Sequence, residues 1–174
     1  FSIPSFYDKN IIQSKIKNQL LENYKIEVKF NEEINFGLFP KPHFYSKNFS
    51  ILQNKKEIAK VKKFKAFISN NNIYFFNEIK LKDVIFNGSE FNVDKESIII
   101  FKELLETKPS KNNVIIKNSK IFYKNFSDEV LFILKIPHSK FFYDFTKLEN
   151  NLVANNEIFN LPFKIEIKNN FFNK

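Results

Sequence analysis

The first quarter of the chain changes from a helical period of apolar positions to a period of two. Asp8 can cap a helix that runs to about residue 23. Residues 24–30 then alternate between apolar and charged side chains, which is typical of a half-buried strand. An amphipathic helix followed by a strand is therefore predicted. The apolar residues that define one face of this helix, spaced four apart, are Ile12, Ile16 and Leu20.

Alternation with a period of two continues over most of the remaining chain. Residues 34–38 follow a polar turn at 31–33, so they are predicted to form a hairpin with strand 24–30. An Asn-Gly turn is predicted at residues 87–88, and residues 140–150 are assigned to one more helical turn. Further strands are predicted at 44–52, 58–69, 79–86, 114–117, 120–124, 129–136, 152–159 and 162–168.

A second helical stretch interrupts the strands near residues 95–107, between Asp94, which can cap it, and Pro109, which ends it. Since the two helices interrupt the strands rather than alternate with them, the pattern favours a strand-rich, antiparallel α+β fold over a parallel α/β one. We expect a meander that forms a curved sheet able to stay open as a groove. The 174 residues suit a single domain or fragment. The predicted apolar face of the second helix comprises Ile98, Phe101, Leu104 and Leu105.

Composition limits what the positive charge of the chain can mean. The formal net charge is +9, and all 28 basic residues are Lys. Lys, Asn, Ile and Phe share AT-rich codons, so part of this charge reflects genome composition. Nucleic-acid sites favour Arg, whose planar fork grips phosphate and guanine, and its absence argues against a nucleic-acid partner.

The sequence lacks the residue arrangements that catalytic sites require. The chain has no Cys, which excludes thiol catalysis, disulfides and thiolate metal sites. His43 and His138 each follow a Pro and have no zinc-ligand spacing, and two isolated glycines cannot build a phosphate loop. The adjacent acidic pairs at 32–33 and 128–129 resemble turn residues, because neighbouring side chains on a strand point to opposite faces. We therefore expect no enzyme activity, no cofactor and no metal, although a carboxylate pair from distant strands stays open.

A series of short motifs follows a fixed order along the first half of the chain. This order resembles the N-terminal region of AsmA-like proteins of the bacterial envelope, covering residues 1–93, and residues 94–174 resemble a continuation with one helix and further strands. The motifs are Phe1-Ser-Ile-Pro4, Lys25-Ile-Glu-Val-Lys29, Ile34-Asn-Phe-Gly-Leu-Phe-Pro40, Phe49-Ser-Ile51, Ile58-Ala59 and Ile79-Lys-Leu-Lys-Asp-Val-Ile-Phe86.

The resemblance implies a periplasmic, β-rich body that an N-terminal anchor, absent from this chain, holds at the inner membrane. It also implies a role in outer-membrane biogenesis and, through similarity to chorein-type lipid-bridge proteins, in phospholipid transport along a hydrophobic groove. The implied partners are phospholipid or a membrane surface, and other envelope proteins. The family supplies no catalytic residues.

An apolar sheet face that no second sheet covers would suit acyl chains. The same apolar residues could instead belong to a closed core, and two other functions stay open. One is a basic β-domain that binds single-stranded nucleic acid, through the alternation of Lys with aromatic residues at 62–67 and 120–124; the other is a scaffold that contacts only proteins. The residues predicted to line the lipid groove are Ile26, Val28, Ile34, Phe36, Leu38, Ile79 and Leu81.

Overall fold

Nine strands form one open, mostly antiparallel sheet in residues 8–69 and 79–170, the parts of the chain that the computed structural model describes. The strand-rich α+β class predicted from the sequence is confirmed, whereas the motif at residues 1–4 lies outside the described residues. The spatial order is β1-β3-β4-β5-β6-β7-β8-β9, with β2 also pairing β3. The elements are α1 (Lys9–Tyr24), β1 (Glu27–Phe30), β2 (Asn35–Gly37), β3 (His43–Gln53), β4 (Lys56–Ile68), β5 (Leu81–Val93), α2 (Ile99–Leu105), β6 (Val114–Lys124), β7 (Val130–Asp144), β8 (Glu149–Ile158) and β9 (Leu161–Asn170).

Helix α1 begins and packs as its apolar spacing predicts. The Asp8 carboxylate accepts hydrogen bonds from two N–H groups of the first turn, at 2.8 and 3.3 Å. The Gln19 side chain bonds the Ile79 carbonyl at 2.5 Å and the Leu81 N–H at 2.8 Å, which fixes α1 to the start of β5. The side chains that α1 buries against the sheet are Ile12, Ile16, Leu20 and Tyr24.

Strands β1 and β2 do not form the predicted hairpin. Both pair with the same edge of β3, β1 near its end through Val28 and Ile51, and β2 near its start through Phe36 and Phe44. β3 has 11 residues, so its edge accommodates both short strands end to end. The hairpin prediction is wrong because alternation identifies strands but not their partners.

Helix α2 is shorter than predicted, and its predicted apolar face is confirmed at Leu104 and Leu105, which are buried, and at Phe101, which packs on the core, but not at Ile98. It begins at Ile99, after turns at residues 95–98. One bond there joins residues four apart, Ile98 N–H to the Asp94 carbonyl at 3.1 Å, and the next three join residues three apart, such as Phe101 N–H to the Ile98 carbonyl at 3.2 Å. Asp94 caps these turns and not the helix, since its carboxylate accepts the Ser97 N–H at 2.7 Å. These tighter turns rotate residue 98 away from the direction that a continuous α-helix would give it, so the Ile98 side chain is exposed. The side chains that α2 buries are Ile100, Leu104 and Leu105.

One link of the sheet departs from the predicted meander. β5 and β6 run parallel, with α2 in the connection between them. All other neighbouring strands are antiparallel, and β6 and β7 each continue through positions where the sequence pattern breaks. The predicted helical turn at 140–150 is wrong, because these residues form the end of β7, a tight turn and the start of β8.

A row of left-handed residues crosses the sheet, and we call it the crease. It consists of Asn48 in β3, Gly88 in β5 and Asn118 in β6, with φ of 47°, 69° and 48°. Next to the crease, the buried hydrophobic positions change from even to odd numbers, as with Phe44 and Phe49 in β3, Phe86 and Phe91 in β5, and Ile116 and Ile121 in β6. The predicted Asn-Gly turn is therefore wrong. One extra residue per strand keeps the apolar side chains on one face while the alternation changes phase.

Pro137 lies within β7, opposite a crease residue that makes no ladder pair with it. The ladder to β6 pairs Lys117 with His138 and Ser119 with Ile136, so Pro137 stands opposite Asn118 without a paired N–H. The ladder to β8 shifts register at the same place. A proline is tolerated in an internal strand only where a ladder bond is already missing, which the crease supplies.

We expect the Gly88→Ala variant to lose about 1–2 kcal/mol of unfolding free energy, because φ of 69° strains an L side chain. Gly88→Asn should lose less, since Asn tolerates the left-handed region and occupies it at positions 48 and 118. Urea denaturation of both variants measures the difference. Each new Cβ meets Lys62 at 3.2 Å, so equal losses would assign the cost to this contact and contradict backbone strain.

Candidate functional site

The helix-covered apolar face of the sheet continues beyond the helices to the edge strand β9. Direct cross-strand partners connect Val114 to Phe141, Phe141 to Leu152 and Leu152 to Ile167. The first three side chains are buried, whereas Ile167 is 43% exposed. Ile167 therefore lies on the same sheet face as the buried core, but at β9 this face is no longer covered by a helix.

Four alternate residues of β9 form an apolar surface that we call the open apolar strip. Leu161 and Phe163 are 68% and 39% exposed, Ile165 is half-buried, and Ile167 completes the series. All four are cross-strand partners of the inward-facing positions of β8, namely Ile158, Asn156, Ala154 and Leu152. The strip thus lies on the same face as the core but is open to solvent.

Helix α2 ends where the strip begins, and no described helix extends over it. The Asn150 side-chain amide donates to the carbonyls of Leu105 and Thr107 at 2.9 and 2.8 Å, and Asn169 donates to Leu105 at 2.9 Å. These bonds hold the C-terminal end of α2 at the far end of β9. The remaining length of β9 has no cover within residues 8–69 and 79–170.

The edge of β9 carries residues that oppose the addition of another strand. β9 pairs only with β8, so its outer backbone edge is unpaired in the described sheet. Pro162 lacks an N–H donor, and Lys164 and Lys168 place charge along the strand. Proline and lysine on an edge strand protect against edge-to-edge pairing. The exposed apolar side chains are therefore more accessible to a ligand than the backbone edge is to a strand.

Charge on β9 is confined to the face opposite the strip. Lys164 Nζ lies 2.5 Å from Glu166 Oε1, and this hydrogen bond lowers the pKa of the Glu166 carboxyl. The strip itself contains no charged or hydrogen-bonding side chain. Its chemistry is therefore suited to hydrocarbon and not to a polar substrate.

The seven residues predicted to line a lipid groove lie elsewhere, in and beside β1, β2 and the start of β5. Five are buried in the core, while Phe36 packs on Phe44 with ring centroids 5.4 Å apart and Leu38 is half-buried. Their role in a groove stays a prediction. The buried five are Ile26, Val28, Ile34, Ile79 and Leu81.

The two histidines are far apart in the sheet and have different surroundings. His43 is buried, its Nδ1 lies 2.8 Å from the Lys41 carbonyl oxygen, and its ring occupies the space that a side chain on Gly37 would need. His138 is exposed on β7, where it is the cross-strand partner of Lys117. Neither is paired with a nucleophile or a carboxylate in the described structure, so the geometry assigns them to packing and to the surface.

The adjacent acidic residues bind separate partners. Glu33 pairs with Lys9, and Glu32 accepts from Asn48. Asp128 pairs with Lys124 at 2.9 Å, in the turn between β6 and β7. Within residues 8–69 and 79–170, no three His, Cys, Asp or Glu side chains come together as metal ligands.

Neither a scan of protein-family models nor a search of curated proteins found a match to the chain. The AsmA-like resemblance therefore stays a prediction. In the described part of the chain, neither helix combines the length and apolar content that crossing a bilayer requires.

Proposed function

We propose that this chain is a non-enzymatic lipid-binding module of an AsmA-like envelope protein, and that the open apolar strip contacts the acyl chains. The observation that carries this proposal is the exposure of Leu161, Phe163 and Ile167 on the face that is buried everywhere under the helices. Exposed apolar side chains in a continuous row cost free energy in water, and a hydrocarbon ligand removes that cost.

The length of the strip fits one acyl chain. From Leu161 to Ile167 the strand rises by six residues, or about 20 Å at about 3.3 Å per residue. One leaflet of a bilayer is about 15 Å of hydrocarbon, half of a core about 30 Å thick. A single chain can therefore lie along the strip over its whole length, with its headgroup at either end in water.

The setting that we propose for this activity is the periplasm, with a role in outer-membrane biogenesis and phospholipid transport. The order of motifs that resembles AsmA-like proteins supports this setting. The open apolar strip also supports it, since an acyl chain can slide along β9 without leaving an apolar surface.

The test is the phospholipid content of the purified chain. We expect mass spectrometry to find phospholipid in the unmodified protein, and at least about fivefold less in a Phe163→Asp, Ile167→Asp double variant, because charge on the strip opposes hydrocarbon contact. Phe39→Asp is the matched control, since Phe39 is 88% exposed on a turn away from the strip. Circular dichroism verifies that all three proteins fold.

Two results would contradict the proposal. One is an unmodified protein that contains no phospholipid and takes up none from added vesicles. The other is equal phospholipid in the strip variant and the Phe39→Asp control, which would show that the strip is not the contact surface.

A further inference from the structure

The face of the sheet opposite the helices carries a cluster of lysines that we call the lysine band. Lys47 of β3 and Lys63 of β4 are direct cross-strand partners, and the next positions in this row are Asn87 of β5 and Lys117 of β6. The band runs beside the crease, and its lysines belong to β3, β4 and β6. Its members are Lys47, Lys63, Lys65, Lys117 and Lys120.

None of the five makes an ion pair in the described structure. Two carboxylates of β5 lie near these lysines. Glu90 is the cross-strand partner of Lys120 but makes its ion pair with Lys62 at 3.6 Å, and Asp83 accepts two hydrogen bonds from the uncharged Asn113 at 2.8 and 2.6 Å. Positive charge is therefore concentrated in the row of Lys47, Lys63 and Lys117, where no carboxylate is a direct cross-strand partner in the described sheet.

The arrangement is unfavourable for the sheet by itself. Like charges directly opposite each other on neighbouring strands, as at Lys47 and Lys63, destabilise the pairing. An anionic surface that contacts both side chains would remove this repulsion. The row therefore has the charge complementarity of a docking surface for a partner with many negative charges.

Exposed apolar side chains adjoin the lysine band on the same face. Phe122 and Ile133 are cross-strand partners two residues beyond Lys120, and Ile133 is 42% exposed. Lysines beside exposed apolar residues are typical of surfaces that bind anionic bilayers, where the ammonium groups meet phosphates and the apolar groups enter the interface. Nucleic-acid binding would favour Arg, which the chain lacks.

We propose that the lysine band docks this sheet face on the surface of an anionic phospholipid bilayer. This surface is separate from the open apolar strip, and the inference stands without acyl-chain binding there. Docking by the band leaves the helix-covered face, with its open strip, turned away from that bilayer.

The test measures sedimentation of the full chain with vesicles of phosphatidylcholine alone or with about one-third phosphatidylglycerol. We expect binding only to the anionic vesicles, weakened by salt because the Debye length shortens from about 10 Å at 0.1 M to about 3 Å at 1 M. The Lys47→Gln, Lys63→Gln, Lys117→Gln variant should bind at least about tenfold more weakly.

The matched control replaces three exposed lysines outside the band, as Lys41→Gln, Lys95→Gln, Lys108→Gln. Both triple variants lower the formal net charge from +9 to +6, since each loses three charges. The control should retain most of the binding, because the position of the charges and not their number decides docking. Equal losses in the two variants would overturn the proposal.

Two further measurements separate the possible outcomes. A single-stranded oligonucleotide that binds the unmodified chain, when anionic vesicles do not, would assign the band to nucleic acid and overturn the membrane proposal. The Phe163→Asp, Ile167→Asp variant should sediment with anionic vesicles like the unmodified chain. If this variant loses its bound phospholipid but still binds anionic vesicles, the open apolar strip and the lysine band act independently.

Discussion

The Phe64→Ala variant loses about 3–5 kcal/mol of unfolding free energy. Phe64 is fully buried at the centre of an aromatic cluster, with its ring centroid 4.7 Å from that of Phe49, 5.6 Å from that of Phe86 and 5.8 Å from that of Phe30. Removing the ring leaves a cavity on the covered face of the sheet, and the paired backbones of β3, β4 and β5 hold the neighbouring rings in place, so they cannot collapse into it. Guanidinium denaturation of the purified chain measures the loss.

Phe163→Ala is the matched comparison, because Phe163 lies on the same sheet face without cover. Its ring is partly exposed, so we expect a loss of about 1 kcal/mol or less. A loss similar to that of Phe64→Ala would show that Phe163 belongs to a closed core and would remove the basis of the open apolar strip. A small loss means that stability does not require a large apolar side chain at this position.

Local sequence patterns predicted the elements whose causes are local. The spacing of Ile12, Ile16 and Leu20 and the cap at Asp8 define α1 within one residue at its end. Alternation over residues 44–52 and 58–69 likewise identified β3 and β4 closely. In each case the side chains that determine the element lie within the element itself.

Which strands pair, and where the buried positions change from even to odd numbers, depends on residues far apart in the chain. Neither could be predicted from local sequence patterns. The parallel link between β5 and β6 and the shared β3 edge follow from how the chain packs, not from alternation. The crease interrupts the period of two in the same row on β3, β5 and β6. The sequence pattern predicted that β5 ends at a turn at Gly88 and that β6 is two separate strands, whereas β3 was predicted unbroken across Asn48. Only the pairing shows that these interruptions align.

The sequence predicted that the chain has an apolar sheet face and a lysine-rich one, but not which residues of each face are exposed. Alternation correctly separates Phe163 and Ile167 from Lys164 on β9, but whether a helix covers a face is decided by the whole fold. Five of the seven residues assigned to a groove are buried in the core near α1, whereas the open apolar strip was predicted only as a strand. The lysine band is similarly visible only when the strands are placed side by side.

The Asn150→Asp variant should also be strongly destabilised, because it loses the hydrogen bonds that hold the C-terminal end of α2 on the sheet. Asn150 is fully buried, and its amide donates to the Leu105 and Thr107 carbonyls. A carboxylate there cannot donate and is repelled by both oxygens at the negative end of α2. We expect a loss of about 3–5 kcal/mol at pH 7, as for other buried charges left without a partner.

The loss should depend on pH in a direction that identifies its cause. Burial against carbonyl oxygens raises the pKa of the introduced carboxyl above its unfolded value of about 3.9. The folded state then holds the proton more tightly, so the variant is closest to the unmodified chain below pH 4 and falls behind as the pH rises toward the folded pKa. Urea denaturation at pH 4 and 7, with the unmodified chain as reference, measures this change.

Asn169→Asp provides the control, since Asn169 is half-buried and gives one hydrogen bond to Leu105. Its loss and its pH dependence should both be smaller, because water can hydrate the new charge. A loss at Asn150 that does not change with pH would contradict a charge-based cause and leave only the missing hydrogen bonds. A pH-dependent loss at Asn150 alone would show that this one buried amide holds the end of α2 on β8, beside the part of β9 that the helix leaves uncovered.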